Sequence, residues 1–311
     1  MKRLYTFIFW FMFTFTVFAG NDSTYIDQQF RSIKDSTGLM HQRRTFLAIS
    51  GSVFYAGTIT GLYIFDYKDN LQSHFRTYSS MNDWRMGMDA THHATATYHI
   101  GRLGYDLLRW AGNDEKHSTW IGGLTGFFLL SSQEILDGFD KKWGASVSDE
   151  TANALGAALF ISQQLTWHDQ KIILKWSYHP TSFPDYRPDL LGSNSFQRML
   201  KDYNGQTFWI SANLKSFHRD SRLPQWLNIA VGFGITGATG PLNTPPLYRS
   251  IPVPEFERQR LFIISPDVDL TRIRTRSKAL KWIFEAIGFL KFPLPALELR
   301  NHGAKFKPLY F

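Results

Sequence analysis

No cysteine occurs among the 311 residues. That absence removes disulfides, thiolate zinc sites, cysteine nucleophiles and any lipid attached through an N-terminal cysteine. No G-x-S-x-G nucleophile elbow or P-loop occurs either. Gly232-x-Gly234-x-x-Gly237 fits the dinucleotide fingerprint by letter, but it lies inside a strand pattern rather than opening a helix. Charge is sparse, at 19%. What the chain has in quantity is apolar residues (43%) and aromatics (16%), too many for disorder and enough for a large core. A mean hydropathy of −0.24 argues against a densely helical polytopic membrane protein. The net charge of +8 suits nucleic-acid binders and proteins facing an anionic envelope alike.

The N-terminus separates those two. Lys2 and Arg3 form a positive start, Leu4 to Phe18 an apolar and aromatic run, and Val17-Phe18-Ala19 puts small residues at the −3 and −1 positions before Gly20. This pattern predicts a cleaved secretory leader at 1–19, since the apolar run is short for a bilayer span. Losing Lys2 and Arg3 lowers the balance from +8 to +6. Export to the periplasm or outer membrane excludes a genomic nucleic-acid partner. It directs the basic excess to a membrane, anionic lipid or lipopolysaccharide.

The mature chain divides by periodicity, and the expected class is α+β. Asn21 to Gln42 reads as a polar extended arm. Thr45 to Phe65 is free of charge and long enough to span a bilayer, yet rich enough in Gly, Ser and Thr to be a buried helix. Helical segments follow at about 88–112, 117–138 and 148–168, where Gly122, Gly123 and Gly126 permit close helix contact. Together these make a four-helix domain over 20–168.

From residue 169 the period changes to two. Strands are expected at Lys171–His179, Thr207–Phe217, Trp226–Thr236, Leu261–Ile273, Ala296–Asn301 and Ala304–Phe311. Large apolar residues occupy one face and small or polar ones the other, as in membrane barrels, although six strands fall short of the eight a one-chain barrel needs. An ordinary antiparallel sheet is the other reading. An amphipathic helix is expected over 277–292. Its approach gathers Arg272, Arg274, Arg276, Lys278 and Lys281, which suit an anionic membrane surface. Basic residues at a helix N-terminus oppose its dipole, so something external is expected to compensate them.

Polar groups in the helical half form a spaced series. Asp89 and His93 are four apart, Glu134 and Asp137 three apart, and Asp149 and Asn153 four apart. The arrangement D-x-x-x-H, then E-x-x-D-x-F, then S-x-x-D-x-x-x-N-x-x-G falls on Asp89, His93, Glu134, Asp137, Phe139, Ser146, Asp149, Asn153 and Gly156. It resembles an uncharacterised family of predicted periplasmic proteins (YfiM-like) and is similar to the VanZ-like helical domain. The likeness covers about 85–165 and implies a helical envelope domain with no established chemistry. Ala90 stands where the VanZ-like pattern has lysine, and no cysteine follows the leader, so the lipid anchor of some relatives does not carry over.

Three readings of the series stay open, one of them general acid/base work by these same residues. As a metal site, His93, Asp89, Glu134 and Asp149 offer one imidazole and three carboxylates to a divalent cation, the only cofactor the sequence suggests. As a structural network, Asp89 orients His93, Glu134 pairs with a helix N-terminus, and Asp149 and Asn153 cap and bridge helices. The metal site makes the protein a metal-dependent envelope hydrolase acting on lipid or wall polymer. The structural network, which we favour, makes it an exported envelope protein without catalysis. A lipid or glycan carrier is a further possibility.

Overall fold

The computed structural model describes residues 37–311 except 219, 242–246, 249–250 and 302. The expected leader at 1–19 and the arm as far as residue 36 lie outside the described residues. The chain forms two compact units. One joins the segment ending at Ser79 to Ala96–Gln170, and the other joins Ser80–Thr95 to Lys171–Phe311.

The first unit is helical. Helix α1 (Thr37–Leu62) continues into a π-helical turn over Tyr63–Tyr67. The last residues of the expected arm, 37–42, therefore belong to a helix. A two-residue strand β1 (Thr77–Tyr78) precedes helix α2 (Met88–Trp110), which this unit contains from Ala96 onward. Helix α3 (Glu115–Gly138) starts where the Asp114 carboxylate accepts the His117 N–H at 2.9 Å. Strand β2 (Ala145–Ser146) pairs with β1 in parallel and leads into helix α4 (Val147–Trp167). Glycine sets the distance between α2 and α3. A Cβ on Gly122 would lie 2.3 Å from the Tyr105 backbone nitrogen, so no larger residue fits without parting the helices.

Leu62, Tyr67, Ala96, Ile100, Leu129 and Leu130 form one core cluster of this unit, with Phe54 and Ile59 of α1 packed against it. The rest of α1 is largely exposed. The stretch Gly38–Tyr67 is 30 residues, long and apolar enough to cross a membrane by length and composition, and 11% of its apolar window is buried among the described residues. The buried-helix reading of Thr45 to Phe65 does not describe it, because Phe46, Ile49, Val53 and Phe65 are exposed.

The second unit is built on a six-stranded antiparallel sheet. Its strands are β3 (Ile172–Tyr178), β4 (Gln206–Asn213), β5 (Leu227–Thr236), β6 (Gln259–Val268), β7 (Leu294–Arg300) and β8 (Gly303–Tyr310), in the order β8-β7-β6-β5-β4-β3. Two expected strands end early, and capping explains both. Asn213 accepts the Ser216 N–H at 2.9 Å and opens a helical turn at Leu214–Phe217, while Asp269 accepts from Thr271 and turns Leu270–Arg272 into a 3-10 turn. The expected 277–292 helix is α5 (Lys278–Ile287), capped by Ser277. Of its basic approach, Arg272 is held by Asp269 at 3.1 Å within this unit.

Register aligns the apolar residues into ridges. Leu174, Ile210, Val231, Ile264, Leu297 and Phe306 pair in sequence across all six strands. From Ile210 to Phe306 this ridge is between 40% and 64% exposed. The opposite face is buried, and there Lys175, Ser211, Asn213, Asn228, Ser265, Asp267 and Glu298 lie beside an apolar cluster of Trp209, Ala230, Leu261, Ile263, Ala296 and Tyr310. The sheet also curls. Tyr310 of β8 hydrogen-bonds Thr207 of β4 at 3.1 Å and packs 5.7 Å from Trp209, although three strands stand between. At the free edge of β3, the Trp176 N–H donates to Phe289 and the Lys291 N–H to Trp176, each at 2.9 Å.

Candidate functional site

The polar series of the sequence is divided between the units: Asp89 and His93 lie in the second, Glu134, Asp137, Asp149 and Asn153 in the first. In the second unit the chain enters α2 through Met86 and Gly87, both at positive φ (51° and 94°). This turn places Arg85 against Asp89. The Arg85 guanidinium pairs with the Asp89 carboxylate, both buried, and also donates to Asp83 at 2.7 Å. The Tyr203 hydroxyl donates to the other Asp89 oxygen at 3.3 Å, and its ring meets Trp84 edge-on at 5.9 Å. Burial pushes the Asp89 carboxyl up, but Arg85, the two neighbouring histidines and the Tyr203 hydroxyl outweigh it, and its net pKa is lowered. Asp89 is thus a fixed anion with an arginine counter-ion.

His92, three residues after Asp89 and next to His93, faces differently. Its ring lies 5.9 Å from Phe208 and 6.2 Å from His93. Burial, followed by His93, lowers its pKa from 6.5 to about 4, against the opposing pull of Asp89. The neutral ring is therefore the folded form. Stability from this group is full above pH 6.5 and is lost as pH falls toward 4, because the unfolded chain binds the proton first. The expected loss at pH 4 is roughly 3 kcal/mol. Thermal unfolding at several pH values should show it, and His92→Phe should flatten the profile through this window. An unchanged slope in that variant would refute the assignment.

In the first unit Glu134, Asp137 and Asn153 hold backbone or bridge elements through their side chains, and Asp149 is held through its backbone N–H. Glu134 accepts the Ser146 N–H at 2.7 Å, at the entry to α4. The Ser146 hydroxyl in turn accepts the Asp149 N–H at 3.2 Å, the N-cap bond of that helix. Asp137 accepts the Tyr67 hydroxyl at 2.6 Å and ties the π-helical turn to α3. Asn153 accepts from Thr97 at 3.0 Å, joining α4 to α2, and donates to Glu150 at 3.3 Å. All four are buried.

Several partners escaped the sequence reading. Arg85 stands four residues before Asp89 but on the turn ahead of α2, so helical spacing gave no signal for it. Tyr203 is 114 residues from Asp89 and carries no local signal. Lys175 and Asp267, paired at 2.7 Å with neither side chain exposed, sat in strand patterns as single polar letters.

A family model described as predicted periplasmic lipoprotein (DUF2279) matches residues 78–163. The chain is similar to that family over this stretch. The match contains the whole series from Asp89 to Asn153. It supports an exported protein of the periplasm or cell envelope, with an envelope-associated role. The lipid of that description finds no cysteine here to carry it. No curated protein and no solved structure matches the chain.

Proposed function

We propose that this is a non-catalytic envelope membrane protein whose sheet turns its apolar ridges toward lipid. The observation that carries the reading is the polarity of the sheet: the ridge on its exposed face is apolar, while the buried face, beside the cluster of Trp209, Leu261, Ile263 and Tyr310, holds an ion pair, asparagines and serines. A water-soluble sheet buries its apolar face, and a lipid-facing one does the reverse. Strands β5 and β6, each of 10 residues, have the length of tilted membrane strands. This polarity favours the outer membrane. The exposed helix stretch Gly38–Tyr67 adds a second apolar surface in the other unit.

The polar series supports the same conclusion from the other side. Asp89 is neutralised by Arg85, and Glu134 and Asp137 are occupied by an N–H and a hydroxyl, so these three carboxylates have structural partners. A YfiM-like and VanZ-like helical domain is the finer family reading that the Asp89-to-Asn153 spacing supports. Extraction of cell membranes with alkaline carbonate tests the proposal. The protein is expected to stay in the pellet, and recovery in the soluble periplasmic fraction would overturn it.

A further inference from the structure

Helices α1, α2 and α3 line an apolar groove of about 420 Å³ within the helical unit, inside the range of ligand pockets. Its lining from α1 recurs at Leu47, Ser50, Gly51 and Phe54, a single helix stripe, faced by Leu107 of α2 and Phe128 of α3. The lining offers little to a polar ligand. The Ser50 hydroxyl donates to the Phe46 carbonyl at 2.7 Å, the Thr125 hydroxyl to Ile121 at 3.1 Å, and the Tyr55 hydroxyl is shared with Ser132 at 2.6 Å. Each hydroxyl on this surface is already engaged.

One end of the groove is marked by charge. Arg43 and Arg44 precede Leu47 by one turn. Arg43 lies over the Trp110 ring at 4.8 Å and donates to the Trp110 carbonyl at 3.1 Å. Arg44 is exposed and donates to the Gly112 carbonyl at 2.7 Å. An arginine-tryptophan pair at the end of an exposed apolar helix is what a membrane–water interface selects. The acidic groups at this end are engaged: Asp114 caps α3, and Glu115 accepts from Gln164 at 2.9 Å and contacts His168 at 2.8 Å. We propose that this groove binds one acyl chain of an anionic phospholipid drawn from the surrounding membrane, with the phosphate at Arg43 and Arg44. The inference rests on the membrane reading above and adds a ligand to it.

Gly51 makes the site testable. It lines the groove, and a Cβ built there meets nothing within 4 Å, so a ring can enter the groove without displacing backbone. Gly57, equally open on the same helix but outside the lining, serves as control. The full chain is reconstituted into phosphatidylglycerol vesicles carrying a diazirine in the acyl chain, irradiated, and mapped by peptide mass spectrometry. Crosslinks are expected on the peptides bearing Leu47, Phe54, Leu107 and Phe128. Gly51→Phe should reduce them about tenfold while Gly57→Phe leaves them unchanged. Arg44→Gln should reduce labelling from phosphatidylglycerol and make it equal to that from phosphatidylcholine. Labelling unaffected by Gly51→Phe, or spread evenly over Phe46, Ile49 and Val53, would overturn the site while the protein still floats with the vesicles. Failure of the wild-type chain to float would overturn the membrane reading and this inference together.

Discussion

Asp267→Ala is expected to destabilise the sheet unit by about 3–5 kcal/mol, the cost of leaving a buried charge without its partner. Asp267 lies on β6 with no exposed side-chain surface, and one of its oxygens takes both the Lys175 ammonium at 2.7 Å and the Ser211 hydroxyl at 2.6 Å. Lys175 also donates to the Val268 carbonyl at 2.8 Å. Nearby, Lys291 sits over the Trp209 ring at 5.0 Å. Burial, with a further push from Lys175 against the pull of Asp267, lowers its pKa to about 8. Asp267 is thus the anion that two buried lysines share. Its removal strands Lys175 in a site that water does not reach.

The same physics makes the pair replaceable. Lys175→Met with Asp267→Leu removes both charges at similar volume, and buried pairs exchanged this way are often neutral or more stable. The double variant should therefore recover most of what Asp267→Ala loses, read as the thermal midpoint by circular dichroism on the detergent-solubilised chain. An Asp267→Ala midpoint equal to wild type would show that the face holding this pair is wet. The sheet's polarity would then be ordinary.

Much of this fold is legible in the sequence, because backbone periodicity is local. The helices expected at 88–112, 117–138 and 148–168 end within a few residues of α2, α3 and α4. The alternation of Trp226–Thr236 marks β5, and the glycines at 122 and 126 stand at close helix contacts. Strand ends were less legible, since Asn213 and Asp269 stop the ladder through side-chain caps that a period-two pattern does not register. The start of α1 was missed because Thr37–Gln42 mixes polar residues and a glycine with only Leu39 and Met40, and a helix exposed along most of its length needs no apolar stripe there.

Two features were beyond reach for a deeper reason. Alternation shows that a strand has two faces without saying which is wet, so Val231 and Ala230 look the same whichever way the sheet turns. Pairings such as Tyr203 with Asp89, or Lys175 with Asp267, depend on register between distant strands and loops. Asp89 itself was singled out from its spacing to His93, but the group that fixes its charge, Arg85, lies just before the helix on a turn that Met86 and Gly87 make at positive φ.

The absence of cysteine makes the central claim directly measurable. Single spin labels can be placed through Val231→Cys and Ile264→Cys on the exposed ridge, and through Ala230→Cys and Ser265→Cys on the buried face, in an otherwise thiol-free chain. Residues 231 and 264 pair across β5 and β6, as do 230 and 265, so each face is sampled at one level of the sheet. With the full chain in vesicles, labels at 231 and 264 are expected to collide readily with dissolved oxygen and poorly with a water-soluble nickel chelate. Labels at 230 and 265 should meet neither. Nickel collisions at 231 and 264 as frequent as those of a label in water would contradict the account, because the apolar face would then look into solvent and not into lipid.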